Sequence, residues 1–133
     1  MSDIQVGSEI PALELAPISR YTLALYAGAS GDHNPIHIDS DFAKKAGMPD
    51  VFAHGMLSMA YLGRMLTNWQ PQAQLRKFGS RFAAITQLQD AITCSGKVVE
   101  MIERDGETLA RCEIQAAKEN GEQTLIGEAL VAV

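Results

Sequence analysis

Cysteine, aromatic side chains and positive charge are all scarce in this chain of 133 residues, and each shortage excludes something. The two cysteines, Cys94 and Cys112, form no C-x-x-C or similar metal spacing and are too few for a disulfide scaffold. Lys and Arg number 11 against 16 Asp and Glu, giving a net charge of −5. Neutralising a nucleic-acid backbone takes clustered cations, so this balance argues against a nucleic-acid binder. It leaves room for a small anionic ligand held by a local basic patch. No apolar run approaches the roughly 18 residues of a membrane span. The opening MSDIQVGSEIPALEL is acidic and lacks the basic and apolar regions of a signal peptide. Together these absences predict a reduced, cytoplasmic, soluble protein with no membrane and no nucleic-acid partner. What is present suffices for a core: 47% of residues are hydrophobic and 20% charged, which excludes a disordered chain. The length fits one domain over residues 1–133.

Along the chain, a helix-rich first half precedes a strand-rich second half. Ser19 is an N-cap for a helix over about 20–29 that Gly28 and Gly31 end, and Asp39 or Ser40 opens a short helix over 40–46, closed by Gly47. From His54 to about Asn68, HGMLSMAYLGRMLTN is apolar nearly all round, with Arg64 its one charge. A helix without a broad polar face is expected to be enclosed by other elements. A strand is expected over 76–86. Asp105-Gly106 and Asn120-Gly121 then mark two hairpins. Two-residue turns there pair Arg104 with Glu107 and Glu119 with Glu122. This register places Val99, Cys112 and Ala129 in one apolar row and Met101, Ala110 and Val131 in another. Val98, Glu113 and Glu128 take the opposite face, with Glu100 beside Arg111. Cys94 falls near Ala117, on the other face from Cys112, so no disulfide is expected. The economical packing is α+β: an antiparallel sheet, buried on one face, wrapped around the apolar helix.

The chemistry concentrates in residues 26–39, YAGASGDHNPIHID. Ser30, Asp32, His33, Asn34, His37 and Asp39 lie close together, and Pro35 pushes Asn34 out of the helical region. The segment therefore reads as a loop of defined shape, not a helix, whose polar groups can converge on a point. Asp32 and His37 form a natural pair for gripping a water and moving its protons. A turn aspartate and a packing histidine would look the same in sequence. His33 and His37 have the spacing of a helical zinc pair, but Pro35 between them opposes that geometry and no further ligand motif is present, so no metal is expected. Ala53-His54-Gly55 stands where the apolar helix begins. Unpaired N–H groups at a helix start can hold an oxyanion, and glycine lets a ligand approach closely; equally, Gly55 can relieve crowding and His54 can pack. Met48, Met56, Met59 and Met65 either line an apolar tunnel or fill the core. Arg76, Lys77, Arg81 and Lys97 form either an anion site or a solvated strand edge.

The two blocks YAGASGDHNPIHID and FAHGML together resemble the signature of the MaoC-like hydratases and dehydratases. The pattern S-G-D-x-N-P-I-H is met at Ser30, Gly31, Asp32, Asn34, Pro35, Ile36 and His37, and A-H-G at Ala53, His54 and Gly55. The resemblance implies a single hot-dog fold that pairs as a homodimer. It implies hydration of a trans-2-enoyl thioester of coenzyme A or acyl-carrier protein to the (R)-3-hydroxyacyl thioester, or the reverse dehydration, without a cofactor. Asp32 and His37 would hold the water, Asn34 would orient the loop, and the Gly55 N–H would polarise the thioester carbonyl. Ser30, His54 and Met56 would contact substrate. Two alternatives remain: a subunit of a heteromeric dehydratase, and a hot-dog acyl thioesterase. The second is disfavoured because such enzymes place a carboxylate on or near the central helix, and residues 56–68 contain none.

Overall fold

The computed structural model describes residues 3–133. A strand β1 (Glu9–Glu14) leads into helix α1 (Arg20–Ser30), a single 3-10 turn (Pro35–His37) and the short helix α2 (Ser40–Lys45). The long helix α3 (Gly55–Trp69) follows, then strands β2 (Leu75–Phe82), β3 (Ile92–Arg104), β4 (Glu107–Lys118) and β5 (Gln123–Ala132). The five strands form one antiparallel sheet in the order β1-β3-β4-β5-β2. The class is α+β, as the sequence pattern indicates.

The first half ends its helices close to where the sequence marks them, except that Gly28 lies inside α1 and Gly31 alone closes it. Ser19 caps α1 by accepting from the Thr22 N–H, and Gly31 closes it at φ +77°, a conformation that favours glycine. Asp39 caps α2 through the N–H groups of Asp41 and Phe42. Two elements depart from expectation. Residues 35–37 form one 3-10 turn where a loop was expected, because Pro35 suits a first helical position and Asn34 caps it. The strand β1 carried no clear signal. It is six residues long, contains Pro11 and has an irregularity between Ile10 and Leu13, features tolerated at a sheet edge.

In the sheet, the first hairpin is a two-residue turn with both central residues at positive φ, Asp105 at 52° and Gly106 at 79°. Pairing then runs as expected from Arg104–Glu107 to Glu100–Arg111, where Val99 bulges out. Beyond the bulge every β3 residue shifts by one: Val98, not Val99, faces Cys112, and Cys94 pairs with Ala116. A one-residue shift exchanges faces, so Cys94 and Cys112 share the core side rather than lying on opposite faces. Both are free, buried thiols with pKa values pushed up to about 11 by burial. The second hairpin closes on Lys118 and Glu122, not Glu119 and Glu122, with Gly121 at φ +90°. An irregularity beside Thr124 restores the expected register, so Cys112 meets Ala129 and Ala110 meets Val131. The like-charged Glu113 and Glu128 do stand opposite each other. Lys77 at 3.5 Å and Arg111 at 3.9 Å offset the repulsion at Glu128. The strand expected over 76–86 stops at Phe82, where the Ala83 and Ala84 N–H groups both turn to the Thr124 carbonyl.

Packing divides into two clusters. Leu62, Met65 and Leu66 of α3 press on Ile92, Cys94, Val98, Cys112, Leu125 and Val131 of the sheet. Burying such side chains stabilises by about 1.5–3 kcal/mol each. The second cluster joins Leu23 of α1, Ala43 of α2 and Val51, Ala53 and Leu57 around the start of α3. It fastens the layer bearing the polar loop to the end of the central helix. The enclosure of α3 is one-sided: Ala60, Arg64, Thr67 and Asn68 are exposed and Met56 is 55% exposed. Small residues such as Ala60 count as apolar in the pattern but lose little by facing solvent.

Candidate active site

The polar loop is wound by its own side chains. The Ser30 hydroxyl accepts from the Asp32 N–H (3.2 Å), an Asp32 carboxylate oxygen from the Asn34 N–H (3.2 Å), and the Asn34 side-chain oxygen from the Ile36 N–H (3.1 Å). Three successive turns of this kind fix a segment that glycine and proline already restrict. Asn34 thus works on the backbone of the loop, and Ser30 does the same from the end of α1. Both are exposed, as is Asp32, while His37 is buried.

Outside the loop, a buttress holds its two flanking helices. Arg20 of α1 forms an ion pair with Asp50 and donates to the Ser40 hydroxyl (2.7 Å), which in turn donates to Asp50 (2.7 Å). Asp50 also accepts from the Val51 N–H at 2.7 Å. Arg20 first, then Ser40 and Val51, hold the Asp50 carboxyl well below the usual carboxylate range. Those contacts tie the start of α1, the start of α2 and the approach to α3 at one point.

His37 turns its Nδ1 to the Phe52 carbonyl oxygen at 2.8 Å. A carbonyl only accepts, so Nδ1 carries a hydrogen, and in the neutral ring the lone pair is left on Nε2. His54 lies against His37, with ring centroids 3.9 Å apart and planes at 27°, and its Nε2 is 3.3 Å from the Asp32 main-chain oxygen. Asp32, His37 and His54 each bring one polar atom to within 4.8 Å of the others. Such a group invites a metal reading. Stacked imidazoles, however, send their in-plane lone pairs along nearly parallel lines, and an ion shared between them would sit well out of both ring planes.

Beside this group opens a cavity of about 340 Å³ lined by Phe52, Gly55, Ser58, Phe82, Thr86 and Leu125, among others. Gly55 is the first residue of α3, so its N–H has no partner within the helix. The Phe82 ring covers it so closely that a Cβ at position 55 would lie 2.9 Å from two ring carbons. Asp32, His37 and His54 thus meet, Asn34 lies in the same loop, Gly55 lines the neighbouring cavity, and Ser30 stands at the loop's edge. Met56 points away and does not line the cavity. Tyr26, Phe52, Ser58, Phe82 and Thr86 were not singled out in the sequence. Phe52 meets His37 twice, through its carbonyl, which no side-chain pattern reveals, and through its ring, edge-on at 5.1 Å. Tyr26 stands edge-on to His54 at 4.8 Å, and burial and the Asp32 charge raise its hydroxyl pKa; its place one helical turn before Ser30 was the available signal.

Residues 4–120 match the family model described as MaoC like domain. The chain belongs to the MaoC-like family. Among curated relatives, the fatty acid synthase subunit beta of Saccharomyces cerevisiae is 30% identical over 129 residues. That match covers 95% of this chain but only 6% of the far longer synthase subunit. The (R)-specific enoyl-CoA hydratase of Rhodospirillum rubrum is 29% identical over 118 residues, covering 87% of this chain and 80% of that protein. An R-hydratase from Pseudomonas aeruginosa, solved unliganded, superposes with a TM-score of 0.85 at 26% identity, covering 98% of this chain and 83% of that one. The (R)-hydratase of A. caviae shares the fold, with a TM-score of 0.85 at 22% identity and 98% coverage of both chains. The MaoC-like chain therefore has the hot-dog fold, its sheet wrapped on α3. Among the described residues no helix is long and apolar enough to cross a membrane.

Proposed function

We propose that this MaoC-like chain is a hydro-lyase that reversibly adds water to a trans-2-enoyl thioester, giving the (R)-3-hydroxyacyl thioester. The observation that carries the proposal is the convergence of Asp32 and His37 on His54, the residue next to Gly55, which opens α3 and lines the adjoining cavity. The names of the Rhodospirillum and Pseudomonas relatives support the same reaction. An isolated alkene resists water, but conjugation to a thioester lets charge move onto the carbonyl oxygen. A water donating one hydrogen to the Asp32 carboxylate and one to His37 Nε2 attacks C3 with its oxygen lone pair. The abstracted proton returns to C2, so the elements of one water are added. The Gly55 N–H at the positive end of α3 stabilises the enolate oxygen between these steps. One-sided delivery by a fixed pair gives a single configuration at C3.

The acyl thioester is that of coenzyme A or acyl-carrier protein. The exposed edge of β2, paired with β5 on one side only and ending at the half-exposed Phe82, supports assembly as a homodimer. A chain of the ChsH1-ChsH2 complex of Mycobacterium tuberculosis shares the fold, and an obligate partner is the alternative assembly. Thioester hydrolysis is disfavoured because α3 carries no carboxylate. Absorbance of the conjugated enoyl thioester, followed on mixing the protein with crotonyl-CoA, tests the proposal. Loss of conjugation that Asp32→Asn and His37→Ala abolish while remaining folded is expected. Release of free thiol instead, or full activity in Asp32→Asn, would overturn it.

A further inference from the structure

One buried polar side chain meets both members of the proposed catalytic pair and does not line the cavity. His54 is 2% exposed, stacks on His37, reaches the Asp32 main-chain oxygen through Nε2 and meets the edge of Tyr26. It occupies the cap position of α3, yet its side chain makes no capping hydrogen bond. Its Nδ1 is fully buried and has no partner among the described residues. A buried polar atom left unpaired is destabilising, and histidine is not a favoured cap. Local stability therefore does not explain why this residue stands here.

We propose that His54 is a positioning residue: its ring braces His37 and its Nε2–H holds the Asp32 main chain, setting both against the Gly55 N–H that follows it. The inference rests on the hydration reading of the site. The chain order is what makes one residue able to do this. Asp32 is reached by hydrogen bond, His37 by ring stacking, and Gly55 by the peptide bond itself. A displacement of the one imidazole would therefore alter the spacing of all three groups.

The tautomer follows from the acceptor. The Asp32 carbonyl oxygen takes a hydrogen, so Nε2 bears it and Nδ1 is bare. A second proton would have to sit on the buried, partnerless Nδ1. Burial and, after it, the facing His37 lower the His54 pKa; the hydrogen bond and charge of Asp32 act in the opposite direction but do not prevail. The titratable groups in contact are Asp32, His37 and Tyr26, and the Tyr26 hydroxyl is itself held in its neutral form. His54 thus has no spare proton for the reaction and no face toward the substrate, which departs from the direct substrate contact expected from the sequence.

Two variants separate this role from its rivals. In His54→Gln the amide nitrogen can reach the Nε2 position and keep the Asp32 tether; in His54→Asn it cannot. Expected results with crotonyl-CoA are a kcat loss of about 10²-fold for Asn, the cost of misplacing reacting groups by roughly 1 Å. Gln should recover part of that loss, KM should stay nearly constant, and the pH–rate profile should keep both limbs. A risen KM at unchanged kcat would make His54 a substrate contact, and loss of a limb would make it a proton carrier; either overturns the proposal, as does Gln performing no better than Asn. Nitrogen-15 spectra of the wild-type histidines give a reading independent of turnover. A neutral Nε2–H form titrating below the ordinary value of about 6.5 is expected for His54, and ordinary titration would refute the assignment. If the wild type proves inert toward enoyl thioesters while the spectra agree, the hydration reading has failed and the placement of His54 has not.

Discussion

Gly55→Ala should leave the MaoC-like chain folded and silence its site. Position 55 opens α3 in ordinary helical geometry, where alanine is favoured over glycine by up to about 1 kcal/mol. Against that gain stands the new methyl carbon, 2.9 Å from Cδ1 and Cε1 of Phe82, well inside ordinary van der Waals contact. Phe82 ends a strand and is 53% exposed, so its ring has room to swing aside. The two effects nearly cancel, and the net change in stability should stay within about 1 kcal/mol, a melting shift of roughly 4 °C. The activity has no such compensation. On the proposed mechanism a methyl group beside the Gly55 N–H hinders the approach of the carbonyl oxygen, and loss of one oxyanion donor costs about 10²–10³ in kcat. The pair Gly55→Ala and Gly55→Ala/Phe82→Ala, assayed by enoyl absorbance and thermal melting, separates the causes. Truncating Phe82 should relieve the crowding without restoring kcat. Near-wild-type turnover in the single variant, or full recovery in the double, would refute the placement of the oxyanion at Gly55.

Other outcomes follow from the packing and the loop. Leu62→Ala, at a wholly buried position beneath the sheet, should cost about 2–5 kcal/mol in urea unfolding. Asn34→Ala removes the cap of the 3-10 turn and should lose about 1 kcal/mol of stability, with a larger fall in kcat than in substrate affinity, read by steady-state kinetics. Asp50 has a folded pKa below its unfolded one. Its contribution is therefore fully present above about pH 4 and fades as acid protonates it. Melting curves across acid pH should show Asp50→Asn less stable than wild type near neutrality and converging with it as the pH falls.

The legible parts of this structure were those decided locally. Ser19, Gly31 and Asp39 end or cap helices through their own side chains or φ values, and Asp105-Gly106 dictates its turn without reference to anything distant. The polar loop was legible for the same reason, since Ser30, Asp32 and Asn34 wind it by bonds to residues two positions on. What escaped was decided elsewhere in the chain. The bulge at Val99 depends on how β3 and β4 twist over the core, and it alone reversed the expected placement of Cys94. β1 pairs with residues some 80 positions later, and its six residues carry little periodicity of their own. At the site, the sequence pointed to His54 and Gly55 together but could not show that the ring turns inward while the next residue lines the cavity. Met56, beside the candidate Gly55, has the look of a pocket wall in sequence, whereas the helical period carries it to solvent, outside the cavity that Gly55 lines.

The hydrogen bond from His37 to residue 52 goes to a main-chain oxygen, while the side chain of that same residue lines the cavity. Every amino acid brings the identical carbonyl. Position 52 can therefore be exchanged to reshape the room offered to an acyl group, by mutation or by divergence, without changing the acceptor that fixes the imidazole's tautomer. The Phe52 ring also stands edge-on to His37, with centroids 5.1 Å apart, so a substitution at 52 keeps the acceptor while changing one wall of the imidazole, and reshaping the cavity there is coupled to how firmly that ring is held.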